Sequence, residues 1–226
     1  MKKSLITIIA VVIATFLTSG LVLARGGHGQ AGRPGGMIAA ALPYEELSEA
    51  EKADLLKMVE EEKLARDVYL ALYEQWSIPA FSNISNSEQR HMDAVASLLD
   101  KYGLENPVAG LEAGSFATPE VQELYQQLVD KGSSSDENAL RVGATIEDLD
   151  IKDLNECLET TDNQDLTMVY ENLKRGSENH LRAFTSLLAV YGYAPYEAQF
   201  LTQEEIDEII STPPTRGRHG GRRGRR

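Results

Sequence analysis

Apolar residues at three- and four-residue spacing run through nearly the whole body of the chain, and this periodicity most narrows the folds open to it. Leu55, Leu56, Val59, Leu64, Val68, Leu72 and Trp76 keep that spacing in the first long run. Ser48 precedes the run with Glu51 three positions on, the pattern of a capping box. This first helix is expected to end near Ser77, before Ile78-Pro79. A second is expected over about 85–102, with Met92, Val95, Leu98 and Leu99 inward and Gly103 as its cap. A connection of about 30 residues follows, in which Thr118-Pro119-Glu120 starts a short helix carrying Val121, Leu124, Tyr125 and Leu128. The third long helix runs from about 136 to 157 or 158 through Leu140, Val142, Ile146, Leu149, Ile151 and Leu154. The fourth runs from about 162 to 191 through Leu166, Val169, Tyr170, Leu173, Leu181, Phe184, Leu187 and Leu188. A last short helix covers 203–210. No stretch of the body alternates with period two. The fold class is therefore all-α: a four-helix bundle, up-down-down-up, with one long crossover between the second and third helices.

The ends differ from this body. Residues 1–24 open with Lys2 and Lys3, continue through an apolar run and close on Val22-Leu23-Ala24 with no acidic residue, the pattern of a secretory signal cleaved after Ala24. An uncleaved membrane anchor is the alternative, since the apolar run is about long enough to span a bilayer. Either way the body is expected outside the cytoplasmic membrane, periplasmic or extracellular, yet with Cys157 as its single cysteine it has no disulfide framework. Residues 25–43, rich in Gly, read as a flexible linker, and residues 213–226 as a basic Gly/Arg tail after Pro213-Pro214. Four of the 22 basic residues lie in the first 36 positions and six in the tail, while all 35 acidic residues lie between, leaving that body at −23. Such a body is not expected to bind nucleic acid. The tail could meet an anionic surface or polymer, or serve solubility alone.

Within the body, Glu88 and His91 are three apart and so share a helical face, near the core side where an unpaired carboxylate is costly. A metal ion would explain the Glu. On the first helix Glu62 shares a face with Leu55, Val59 and Tyr69, whereas Glu60 and Glu61 read as a solvated face. The third helix carries Glu147 and Asp150, again three apart; taken alone, Glu147, Asp148 and Asp150 read as surface acids. The fourth carries His180 beside Leu181 and Phe184, with Ser177 three positions earlier. His91 and His180 are the two histidines of the body, although a histidine beside apolar residues also fits a hydrogen-bonded core role.

Taken together, Glu62 to Tyr69 on the first helix, Glu88-x2-His91 on the second, Glu147 and Asp150 on the third and His180 on the fourth resemble the ferritin-like superfamily, most of all rubrerythrin in arrangement. The stretches EEEKLARDVY, NISNSEQRHMDAV, VGATIEDLDIKDL and GSENHLRAF are similar to a ferritin-like family known as domain of unknown function 2202. The resemblance covers roughly residues 44–193, with 194–212 adding the short last helix. It implies Glu62 as a terminal metal ligand, Glu88 as a bridging carboxylate with His91 beside it, Glu147 as second bridge or terminal ligand, Asp150 at a further ligand position, and His180 facing His91. Tyr69 is implied close to the site, bonded to a ligand or filling core. The chain departs from the pattern at Ser177, where the superfamily usually has Glu.

Carboxylates with two imidazoles suit iron or manganese, with zinc as another acceptable ion. The resemblance implies two irons and ferroxidase or peroxidase chemistry. No four-cysteine rubredoxin centre is present in this sequence, so a peroxidase would draw on an external electron donor. Three functions follow as expectations: a di-metal oxidoreductase, a non-catalytic metal-binding or sequestration protein, and a helical interaction module whose site has decayed. A homodimer is compatible with the fold.

Overall fold

The computed structural model describes residues 44–214. The leader (1–24), the linker (25–43) and the tail from 215 lie outside the described residues. Among the described residues there are six helices: α1 Glu49–Trp76, α2 Pro79–Tyr102, α3 Pro119–Gly132, α4 Asp136–Thr160, α5 Gln164–Val190 and α6 Gln203–Ser211. Among the described residues there is no strand.

The pairing of side chains gives the topology. Along α1, Glu51, Lys57 and Tyr69 meet Thr161, Asp153 and Glu147 in turn, so α4 runs antiparallel to α1. Along α2, Phe81, Glu88 and Lys101 meet Phe184, His180 and Asp165, so α5 runs antiparallel to α2. The bundle is up-down-down-up, as the sequence predicts. One boundary differs. The second helix begins at Pro79, not near residue 85, and only Ser77 and Ile78 separate it from α1. Ser77 takes the left-handed conformation (φ 53°), which turns the chain, and Pro79 then occupies a first-turn position where its missing N–H costs nothing. Phe81 and Ile84 extend the inward stripe by a turn.

Two apolar clusters fill the bundle. One gathers Leu64, Val68, Phe81, Ile84, Ile146, Leu181 and Phe184; the other gathers Leu55, Val59, Met92, Val95, Leu154, Tyr170 and Leu173. Every long helix crosses from one cluster to the other; the crossing points on α1, α2 and α5 carry Glu62, Glu88 with His91, and Ser177 with His180, while on α4 Glu147 and Asp150 lie just before the crossing between Ile151 and Leu154. The candidate ligands thus form a polar layer between two apolar ones.

The crossover is fixed by ions. Lys63, buried, pairs with Asp67 and donates to the Glu112 carbonyl (3.0 Å), while Asp67 accepts from the Gly114 N–H (2.9 Å) and from Arg66. This crossover also overturns the reading of Glu60 and Glu61 as a solvated face. Glu60 is buried where Thr118, at the start of α3, donates to it (3.3 Å). Glu61 is largely covered by α4; burial pushes its carboxyl up to about 8 although Lys57 lies 3.5 Å away, held in turn by Asp153 (2.9 Å). Coverage by α3 and α4 is a tertiary fact that the pattern of α1 does not carry. Glu147, Asp148 and Asp150 are likewise buried rather than surface acids.

At the other end of the bundle Glu51 closes the capping box with Ser48 and accepts from Thr161 (2.6 Å) and Asn163 (2.8 Å), tying α1 to the α4–α5 turn. Burial raises this carboxyl, but the bonds from Thr161, Asn163 and Ser48 outweigh it and hold the pKa near about 2 against an ordinary 4.5. A depressed folded pKa adds stability that is fully present above pH 4.5 and lost as pH falls toward 2. A recess open to water adjoins the group, and solvent screening holds its contribution to about 1–2 kcal/mol. Glu51→Gln is expected to lower stability by that amount at pH 7 and by much less at pH 3. Urea unfolding at both pH values checks it; an equal penalty at both would contradict the assignment.

Candidate metal centre

Each long helix delivers its polar residues at helical spacing into the layer just described. On α2, Glu88 and His91 lie one turn apart and reach the same point, with His91 Nδ1 2.7 Å from Glu88 Oε2. Across from them α1 brings Glu62, whose Oε2 is 3.2 Å from the same Nδ1. The other oxygen of Glu88, Oε1, lies 2.8 Å from His180 Nδ1 on α5, and that nitrogen is 3.4 Å from Glu147 Oε2 on α4. Glu88 therefore gives one oxygen to each half of the site. The imidazoles are stacked, with ring centroids 5.6 Å apart and planes at 28°.

These contacts form two groups with geometry suited to a cation, Glu62–Glu88–His91 and Glu88–Glu147–His180, and Glu88 is common to both. Hydrogen bonding accounts for one of these contacts, His91 Nδ1 with Glu62 Oε2, and leaves the rest unexplained. Both oxygens of Glu88, Oε1 of Glu62, Oε2 of Glu147, Oδ2 of Asp150 and Nδ1 of His180 are buried with no hydrogen-bond partner. The 2.8 Å approach of His180 to Glu88 is short enough for a hydrogen bond but off the ring N–H direction. Each such orphan costs about 1–3 kcal/mol when left unsatisfied. A cation in each group would satisfy the orphans of Glu62, Glu88, Glu147 and His180, so the donor set fits a metal.

Charge makes the same point. Burial pushes Glu62 up to about 7 against the pull of His91. Burial, then the neighbouring Glu62 and Glu147, push Asp150 well up, and burial raises Glu147 despite His180. Glu88 is opposed by burial yet held below the usual carboxylate range by His180 and His91. Burial works against a charged His180, but Glu88 and Glu147 raise it to about 10. Metal-free, the layer shares protons among its acids and imidazoles; divalent ions would displace those protons.

A model of the family described as "Uncharacterized protein domain (DUF2202)" matches residues 51–213. The chain belongs to that family. Within the DUF2202 similarity, "Uncharacterized protein MJ0754" of Methanocaldococcus jannaschii is 52% identical over 178 residues, covering 79% of this chain and 96% of that protein. A solved structure, "Crystal structure of hypothetical protein MJ0754 from Methanococcus jannaschii", aligns with a TM-score of 0.75 at 52% identity, covering 77% of this chain and 99% of that one.

Five of the six expected ligands of this DUF2202 chain, Glu62, Glu88, His91, Glu147 and His180, converge in the two groups. Asp150 stands beside them, its Oδ2 buried and unpartnered, in neither group of three. Ser177 is fully buried but turns its hydroxyl back to the Leu173 carbonyl (3.3 Å). Tyr69 does both things expected of it. Its hydroxyl donates to Glu147 Oε1 (2.5 Å), fixing that carboxylate, while its ring packs against both Phe81 and Phe184. Two residues escaped the sequence reading. Gly143 offers its carbonyl to Tyr69 (3.4 Å), and Gly176 lies directly against the His91 ring. Glycine inside a long helix was the available signal for both.

Proposed function

We propose that this protein is an exported, ferritin-like metal protein that binds two ions, iron before manganese or zinc, and uses them to react with O2 or peroxide. The observation carrying the reading is Glu88, whose two oxygens reach two different histidines while neither is hydrogen-bonded. Bound ions would supply redox chemistry toward O2 or peroxide. Glu62 and His91 would hold one ion, Glu147 and His180 the other, with Glu88 between and Asp150 available to complete the set. Tyr69 keeps Glu147 oriented by donating its hydroxyl to Glu147 Oε1, and burial beside Glu147 and Glu88 keeps that phenol protonated. The apolar clusters above and below exclude water along the bundle axis, so reactants reach the layer from the side where His91 and His180, 12% and 9% exposed, form the wall. Export rests on the pattern of residues 1–24, and an electron donor outside this chain on its single cysteine.

A second reading, sequestration without turnover, is favoured by Ser177, since α5 gives His180 and no carboxylate to the layer. Aerobic addition of Fe(II) distinguishes them. Oxidation continuing well beyond the bound iron is expected of the oxidoreductase. Oxidation that stops once the bound iron is spent supports sequestration, and failure to take up iron contradicts both.

A further inference from the structure

Gly176 sits in the interior of α5, where glycine weakens a helix, and its backbone does not take the positive φ that would call for glycine. Its reason is space. A Cβ built there would lie 2.5 Å from both Cε1 and Nε2 of His91, closer than real side chains approach, and 3.8 Å from Nδ1. The Cε1–Nε2 edge of the ring thus rests on the bare backbone of α5, while Nδ1 faces Glu62 and Glu88. The stacked ring of His180 lies beside it. Between these two surfaces the ring has little room to turn.

We propose that Gly176 is a positioning residue for the metal centre: the bare α5 backbone at that point is the seat that holds His91 with Nδ1 toward Glu62 and Glu88. The inference rests on the dinuclear reading and adds that α5, which gives no ligand to the Glu62–Glu88–His91 position, controls that position by shape. A side chain at 176 must push the ring outward and carry Nδ1 off the carboxylates. The three atoms nearest that Cβ all belong to His91, so the side chain would act on Glu88 and His180 only through the displaced ring. The two metal positions should therefore separate when Gly176 is changed.

The test is Mn(II) titration of Gly176→Ala, read by bound metal per chain and by electron paramagnetic resonance, with Gly132→Ala as control. Gly132 also packs tightly, its Cβ position 2.6 Å from Leu72, but it lies at the end of α3. Gly176→Ala is expected to bind the first Mn(II) nearly as the parent does and the second roughly 10–100-fold more weakly, the usual effect of losing a group that orients a ligand. Gly132→Ala is expected to be less stable and to keep both ions. Gly176→Ala that binds two ions like the parent, or that stays folded and loses both alike, overturns the proposal. The metal-free protein gives an independent reading. Gly176→Ala is expected to lower the melting temperature when His91 is present, and to leave it unchanged or raised in the His91→Ala background. An equal effect in both backgrounds overturns the seat. If the parent binds neither Mn(II) nor, anaerobically, Fe(II), the dinuclear reading fails while this cycle still decides the role of Gly176.

Discussion

Glu88→Ala is expected to abolish binding at both metal positions, where His91→Ala or His180→Ala would each weaken one. Glu88 is the one residue common to the two groups, and its carboxylate is fully buried between imidazoles at 2.7 and 2.8 Å. Its removal takes a donor from each ion together with the negative charge that screens one ion from the other. The readout need not be activity. An ion that binds only the folded state adds about 2.7 kcal/mol at a concentration one hundred times its dissociation constant. For a domain of this size that corresponds to a rise of roughly 5–10 °C in melting temperature. Calorimetry with and without Mn(II) should show that rise in the parent and none in Glu88→Ala. Glu88→Gln keeps the shape without the charge and is expected to behave like the alanine variant. A metal-dependent rise preserved in either variant would contradict the bridging role.

Asp148→Ala is expected to be the most destabilising change outside the metal layer. This buried carboxylate accepts from the Tyr196 hydroxyl (2.8 Å) and from the backbone N–H groups of Gln199 (2.7 Å), Phe200 (3.2 Å) and Leu201 (2.8 Å). Hydrogen bonds to a charged group contribute about 1.5–3 kcal/mol each. Alanine would orphan all four donors. The loss should be about 3–5 kcal/mol, limited by the chance for residues 196–212 to detach instead and expose Ile206, the buried residue of α6. Two signals are therefore expected together: a lower urea midpoint, and faster hydrogen exchange and proteolysis confined at first to 196–212. Asp148→Asn, able to accept through one atom, should fall between. An unfolding free energy within about 0.5 kcal/mol of the parent, the range of an ordinary surface change, would show that the segment is held by other means.

Much of this centre was legible because its residues obey helical spacing. Glu88 and His91 lie one turn apart on a face that Met92, Val95 and Leu99 already mark as inward, and His180 lies beside Leu181 and Phe184 in the same way. Glu62 could be told from Glu60 and Glu61 only as the nearest to the apolar stripe. That all three turned out largely covered follows from α3 and α4, which pack over the flank of α1. Asp148 was opaque for a related reason: it points away from the metal layer, and the chain that satisfies it returns 48 residues later. The early start of α2 was hidden by Pro79, which reads as a stop although it equally suits a first turn. Gly176 illustrates the remaining limit. A glycine inside a helix signals a close approach without saying by what, and the partner here is a ring on another helix.

The central claim is that Glu62, Glu88, His91, Glu147 and His180 form one dinuclear metal centre. Metal content by mass spectrometry on the untagged protein, purified without chelators, tests it most directly. The account predicts about two iron or manganese ions per chain, as in other carboxylate-bridged bundles. A protein that holds no metal, even after anaerobic reconstitution with Fe(II), would contradict it and leave the buried acids and imidazoles as a proton-sharing structural layer.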